Sequence, residues 1–403
     1  MNRPMIESRP KKILAGLVAA GCVAIAVLFL VCGYEQTWRL WNVPVMMPPF
    51  ADARVITAGA ESHALGYDPL VCNPQDPWGR RMNYPRIWQL LFHLNIDQRA
   101  TVYLGVLLAV LFVSAVFMAT GNIDRRTAWL LAGGVFSPSV MFGLERGNID
   151  LLMFFLLALA VVLIRKSKGL AALLVGGAFL LKLYPVFTAT VFLRESKRFC
   201  LWLGLALLVI ALAYGMMMHQ ELALIRKATP SSVTFSYGIG VAGKRFFCYT
   251  PQSVRQAVSY TVAGLMLAVG FVHAGRRAPA NDGEAGHLDA FRVGASVYVG
   301  TYLLGINWDY RLMFLLFALP QLAAWTGSPR RAVRRMAIVT LVSVVASLWS
   351  PLADSLFEHI HRGKDYYMVL DIAAKGVVFF GLNYLLVSSR PFWLAAPYPR
   401  PAA

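Results

Sequence analysis

Apolar runs recur along most of the chain, separated by short turns that carry many of its Arg and Lys residues. Runs of roughly 16 to 24 residues match the helix length needed to cross a hydrocarbon core of about 30 Å. The pattern predicts spans at about 13–33, 101–119, 127–143, 149–164, 199–218, 252–275, 291–306, 310–326, 336–350 and 366–388. The segment 169–193 resists this reading. Lys182 and Pro185 fall near its middle, and at mid-membrane a lysine and a helix-breaking proline are both costly. Basic clusters flank it, Arg165, Lys166 and Lys168 before and Arg194, Lys197 and Arg198 after. A re-entrant hairpin over 170–193 keeps both clusters in the cytoplasm, whereas a full span inverts everything that follows. The expected fold is an all-α integral membrane bundle of about ten full spans plus a re-entrant hairpin, one polytopic domain over 1–403.

The polar exception is 34–100, a connector of roughly 67 residues where two membrane helices need only a handful. Seven of the chain's 21 prolines fall between Pro44 and Pro85, among Asp52, Glu61, Asp68, Asp76, Arg54, Arg80, Arg81 and Arg86. Short amphipathic helices are expected at both ends of this loop, the first over ARVITAGAESHAL and closed by Gly66. So long a loop in a chain otherwise made for lipid reads as functional, and as the catalytic loop of a membrane enzyme.

Composition strengthens the membrane assignment. Residues are 58% hydrophobic and 14% charged, with a mean hydropathy of +0.58, against about 25% charged in soluble domains. The net charge of +18 lies mostly in short inter-span loops, as orientation by positive charge requires, and does not imply nucleic acid. N- and C-termini are then cytoplasmic. The long loop faces outward together with the turns at 145–148 and 307–311 and the loops at 219–251 and 358–365. The five cysteines have no metal-site spacing. Cys22, Cys32 and Cys200 read as packing residues, while Cys72 and Cys248 share the oxidising face as either a disulfide or two free thiols. His359, His361 and Glu358 lack a third ligand on a common face, so no metal is expected, and no cofactor either.

Candidate chemistry centres on Asp52. At or next to a helix N-terminus it is either a capping residue or a carboxylate that deprotonates an acceptor hydroxyl. A phosphate-bearing ligand needs cations, and Arg supplies a planar, bidentate one. Arg81, Arg86, Arg146 and Arg311 are the candidates, with Arg80, Lys244 and Arg245 also in reach of the outer face; Arg146 and Arg311 each lie near an acid, Glu145 and Asp309. Lys182 either contacts a deep lipid phosphate or pairs with a buried carboxylate such as Asp371. Tyr84, Trp88, Trp308 and Tyr310 suit sugar stacking or an interfacial belt, and His361 is a further substrate contact.

Asp52, a small helix, Gly66-Tyr67-Asp68-Pro69 and then Tyr84-Pro85 together resemble the first outer loop of glycosyltransferase family 87. That family belongs to the membrane-integral C-type glycosyltransferases, which use lipid-phosphate-linked sugars. Glu145-Arg146-Gly147-Asn148 is similar to the family's Gly-x-x-Asn turn, and GGAFLLKLYPVF to its Gly-rich helix ending in Lys-x-x-Pro. Val55-Ile56 stands where the family has aromatics, Leu70 follows Asp68-Pro69, and Arg86 replaces a second proline. The resemblance implies a C-type bundle in a bacterial inner membrane with its site on the periplasmic face. It implies inverting transfer of a sugar, mannose-like or a pentose, from a polyprenyl-phosphate donor to a lipid or glycan acceptor. Asp52 maps to the catalytic base and Asn148 and Lys182 to substrate contacts. Rival readings are a transporter, flippase or polymerase for lipid-linked saccharides, or a non-catalytic relative.

Overall fold

The computed structural model describes residues 8–277, 279–280 and 284–394. Its helices, in chain order, are α1 (Ser8–Arg39), α2 (Ala51–Ala64), α3 (Ala100–Ala119), α4 (Arg125–Val135), α5 (Pro138–Arg146), α6 (Asp150–Leu163), α7 (Lys168–Leu181) and α8 (Lys197–Met217). They continue as α9 (His219–Ala228), α10 (Ile239–Phe246), α11 (Gln252–Gly275), α12 (Ala285–Leu303), α13 (Leu319–Trp325), α14 (Arg331–Phe357) and α15 (Gly363–Ser388). Longer 3₁₀ segments cover Arg86–Leu94, Tyr184–Arg194 and Asp309–Phe317. Two short strands, β1 (Ser236–Tyr237) and β2 (Asn307–Trp308), pair antiparallel with Ser236 opposite Trp308.

Among the described residues six helices, α1, α3, α8, α11, α14 and α15, are long and apolar enough to cross a membrane. The pair α4–α5, bent by 48°, makes a seventh if counted as one span. The remaining expected spans are short or broken, except 291–306, which lies in the 19-residue α12, long enough but not among the helices apolar enough to cross. The run at 149–164 yields α6, whose 14 residues extend about 21 Å, and 310–326 divides into a 3₁₀ segment and the seven-residue α13. Buried aromatic packing, more than helix length, organises this part. Phe154 of α6 stacks on Phe317 at 4.1 Å and meets Phe112 of α3 at 5.0 Å.

The chain breaks at Lys182, which leaves α7 with extended backbone at φ −160 and ψ 118. Proline at 185 has no N–H to continue an α-helix, and the chain returns as the 3₁₀ segment packed on α7. The two ends of this excursion meet. Arg165 Nε lies 3.5 Å from an Asp289 carboxylate oxygen that also takes a hydrogen bond from Arg194, and Lys168 is 3.8 Å from Glu195. The segment is therefore a hairpin whose tip is Lys182–Tyr184.

Within the long loop, α2 is the amphipathic helix expected from sequence, closed at Leu65 and Gly66 (φ +87). It is more deeply packed than a surface helix. Ala51, Val55, Ile56, Ala58 and Gly59 are buried along with Arg54 and Thr57, and the open side carries Asp52, Glu61, His63 and Ala64. The second amphipathic stretch forms the 3₁₀ segment Arg86–Leu94. Its buried Trp88 donates to the Leu181 carbonyl at 3.0 Å, fastening the loop to the hairpin tip.

The five cysteines are free thiols. Cys72 and Cys248 are unbridged, and Cys22 and Cys32 are exposed on the outward side of α1 rather than packed as expected.

Candidate functional site

Asp52 sits in the first turn of α2, after a left-handed Phe50 at the N-cap. Its carboxylate points away from the helix's own amides: Oδ2 accepts from Asn148 Nδ2 at 2.5 Å and Oδ1 lies 3.6 Å from Arg80 Nη1. A group that capped the helix would accept from N–H groups one turn on. Asp52 instead reaches across to the corner between α5 and α6.

That corner is built by Gly147. With φ +56 it adopts the left-handed conformation that ends α5, where glycine carries no steric penalty. The amides of Gly147 and Asn148 then bond back to the carbonyls of Leu144 and Gly143, each at 3.0 Å, a C-terminal cap that fixes the direction of the next residue. A Cβ on Gly147 would meet Phe50 at 3.0 Å and Ala53 at 3.3 Å. The missing side chain lets α2 approach close enough for Asn148 to reach Asp52.

Asn148 also links inward. Its Oδ1 accepts from the Asp150 amide at 2.8 Å and from Lys182 Nζ at 3.4 Å. Lys182 pairs with Asp150 at 2.6 Å, not with Asp371. The buried Asp150 carboxylate also accepts from the Tyr184 hydroxyl at 2.6 Å and from Arg311 Nε at 3.1 Å. The Arg311 guanidinium lies 4.5 Å over the Tyr184 ring and donates to Asn307, whose own amide bonds the Thr301 carbonyl at 2.6 Å. Lys182 joins the Asp52 network through Asn148 instead of lying away from it, as a cytoplasmic hairpin implies. The hairpin tip carries it up to the loop, 5.4 Å from the Tyr84 ring.

Arg80 is held as firmly. Asp76 accepts from its backbone amide at 3.0 Å, from Nε at 3.2 Å and from Nη2 at 3.0 Å. Nη2 also donates to the Ala51 carbonyl at 2.6 Å, and the guanidinium stacks 4.5 Å over Trp78. Nη1 remains to face Asp52. Burial first, and then the Asp52 charge, push the Tyr84 phenol well above its ordinary pKa, so it stays neutral beside the carboxylate.

Exposure sorts these charges. Asp76 and Asp150 are fully buried as side chains, whereas Asp52 is 21% exposed, Arg80 24%, Lys182 15% and Arg311 14%. Arg146 adjoins on the same corner, 3.3 Å from the wholly buried Glu145, which also accepts from the Met46 amide at 2.9 Å. The accessible surface therefore presents one carboxylate among cations, with the balancing acids behind them.

Of the residues anticipated, Asp52, Asn148, Lys182, Arg311 and Tyr84 come together, with Arg146 at the edge. Arg86 does not join them. It forms a two-point pair with Asp68 and a 3.6 Å contact with Glu221, beside a cavity of about 260 Å³ at the far end of α2, about 20 Å from Asp52 along that helix. Arg81 is exposed on the loop, and His361 lies in the exposed turn between α14 and α15, both outside the network. Asp150 and Tyr184 were missed. An acid opening an apolar run was the available signal for Asp150. Among the described residues no group of three His, Cys, Asp or Glu side chains is placed to hold a metal.

Comparison with known families, characterised proteins and solved structures returns no match.

Proposed function

We propose that the protein is an inverting glycosyltransferase that moves a sugar from a polyprenyl-phosphate donor to a lipid or glycan acceptor, with Asp52 as general base. The carrying observation is the exposure pattern: one accessible carboxylate, fixed by Asn148 and Arg80, beside Lys182 and Arg311. In this reading Asp52 takes the acceptor hydroxyl proton. The freed oxygen attacks the anomeric carbon while the bond to the lipid phosphate breaks, and the phosphate leaves with the electron pair. Inversion needs no covalent sugar–enzyme intermediate, so one base suffices. Lys182, Arg311 and Arg80 receive the developing phosphate charge, for which fixed cations in a water-poor site are effective. Tyr84 and Tyr310 line the sugar, and Arg146 sits at the donor's edge. The site then faces the periplasmic side of an inner membrane with both termini cytoplasmic, which requires an even number of full crossings.

The test is sugar transfer in membranes from a panel of polyprenyl-phosphate donors, comparing wild type with Asp52→Asn. Asparagine keeps the shape and the Asn148 neighbour but cannot take a proton, so transfer falls by about 100-fold or more. Undiminished transfer by the folded variant would remove Asp52 as the base. Silence from wild type with every donor, together with movement of a lipid-linked saccharide across vesicles, would replace the enzyme with a transporter.

A further inference from the structure

A second cavity, of about 240 Å³, lies between α10 and the N-terminal half of α11 and is closed by Gly305 and Ile306. Its polar lining comes from α11 at Gln252, Arg255, Gln256, Ser259 and Tyr260. Those positions are spaced i, i+3, i+4, i+7 and i+8, a single helical face. The helix is otherwise long and apolar enough to be a span, so a polar stripe over its first two turns demands a purpose. Lys244 of α10 faces the stripe across the cavity. No Asp or Glu lines the space, and neither Lys244 nor Arg255 forms an ion pair among the described residues. Ser259 is 9% exposed, lines the cavity, and its hydroxyl makes no hydrogen bond among the described residues. Gly243 makes the approach of the two helices possible, since a Cβ there would meet Ser259 Oγ at 2.5 Å and Arg255 Cγ at 3.0 Å.

The position suits one kind of anion. Pro251 caps α11 without a side-chain bond, so the first amides of a 24-residue helix open toward this end with their positive dipole. Just before it Phe246, Phe247 and Tyr249 are exposed, Tyr249 completely, as in the aromatic belts that mark the headgroup level of a bilayer. Val254, Val258, Val262 and Leu265 are exposed on the outside of the same helix, where acyl chains pack. We infer that this cavity binds the phosphate group of an anionic membrane lipid, with Arg255 and Lys244 as the cations, Ser259 and the glutamines as neutral donors, and the chains lying along α11. The cavity is separate from the Asp52 network, and the inference does not depend on glycosyl transfer.

Native mass spectrometry of the full chain purified in mild detergent tests it with three probes: dioleoylphosphatidic acid, dioleoylglycerol with the same chains and no phosphate, and inorganic phosphate. Wild type is expected to hold phosphatidic acid at least tenfold more tightly than dioleoylglycerol, and millimolar inorganic phosphate leaves the lipid in place. Lys244→Gln with Arg255→Gln lowers phosphatidic acid affinity about tenfold, each single change about threefold, and Arg198→Gln, which removes a cation from the start of α8, changes nothing. The single variants carry the test if the double variant does not fold. Equal retention by wild type and the folded variants overturns the site, and displacement by inorganic phosphate overturns its assignment to lipid.

Discussion

Asn148 is the residue on which the candidate site turns, because its one amide group holds a carboxylate on one side and a lysine on the other. Replacing it with Ala removes a hydrogen bond to a charged group, worth about 1.5–3 kcal/mol, so sugar transfer is expected to fall roughly 10- to 100-fold in kcat while the protein still elutes as a folded species. Asp150→Asn behaves differently. It leaves Lys182 and Arg311 facing each other without the buried acid between them, and stripping one member from a buried ion network costs about 3–5 kcal/mol. The expected outcome is loss of folded protein at lower temperature in mild detergent, not only loss of activity. At this scale the sequence was legible where chemistry and local conformation coincide. Asp52 could be picked out because an acid beside a helix start is a local event, while Asn148 stood out only through the resemblance of the 145–148 turn to a family motif. Asp150 could not be ranked, since its importance comes from Lys182, Tyr184 and Arg311, which only the folded chain brings to it. Arg86 and His361 show the converse: a residue type suited to phosphate or sugar says nothing about where its side chain is spent.

At the scale of elements, the corner between α5 and α6 and the hairpin tip have to register with α2. Gly147→Ala places a side chain in the left-handed region, at roughly 1–2 kcal/mol, and also pushes Phe50 away. It is expected to lower transfer at least as much as Asn148→Ala, by displacing the whole turn. A second buried network ties α15 to the other end of the same structural unit. Lys375 bonds Asp309 and Asp371, each at 2.9 Å, and the Ser236 carbonyl at 3.1 Å, so it clamps β1 to the 3₁₀ segment that carries Arg311. Lys375→Met leaves the buried Asp309 and the part-buried Asp371 uncompensated and is expected to be severely destabilising. Adding Asp309→Asn to it recovers much of the loss, because removing both partners is far cheaper than removing one; thermal unfolding of the single and double variants measures the difference. The sequence announced the hairpin through Lys182 and Pro185 but not its depth, because hydrophobicity reports that a segment avoids water and not which neighbour it leans on. The same blindness makes 310–326 read as a span when it is an aromatic-packed 3₁₀ segment followed by a short helix.

For the molecule as a whole, the proposed orientation can be tested through two exposed side chains in separate loops. Cys72 and Cys248 are both exposed and lie in loops assigned to the outer face. With Cys22, Cys32 and Cys200 replaced by Ser, both remaining thiols are expected to react with a membrane-impermeant maleimide in right-side-out vesicles. Labelling of one and not the other would invert the second half of the chain relative to the first. The charge pattern along the sequence was sufficient to propose this arrangement, since basic turns are read one at a time, whereas the number of crossings depends on how short helices such as α6 and α7 are buried by their neighbours.

One helix stands nearly apart. Most of the apolar surface of α8 faces outward, and its main packing partners are α9 and the 3₁₀ segment Tyr184–Arg194. That segment begins with Tyr184, whose hydroxyl holds Asp150. In a bilayer the outward face of α8 is pressed into place by the surrounding acyl chains, so the lipid annulus is in effect the outer wall of the hairpin. Stripping it with a harsh detergent would loosen α8 and then the hairpin while the aromatic core around Phe154 stayed intact. A preparation can therefore look folded by every bulk criterion and still have lost the geometry of Lys182, and restored lipid, not refolding, is what would bring it back.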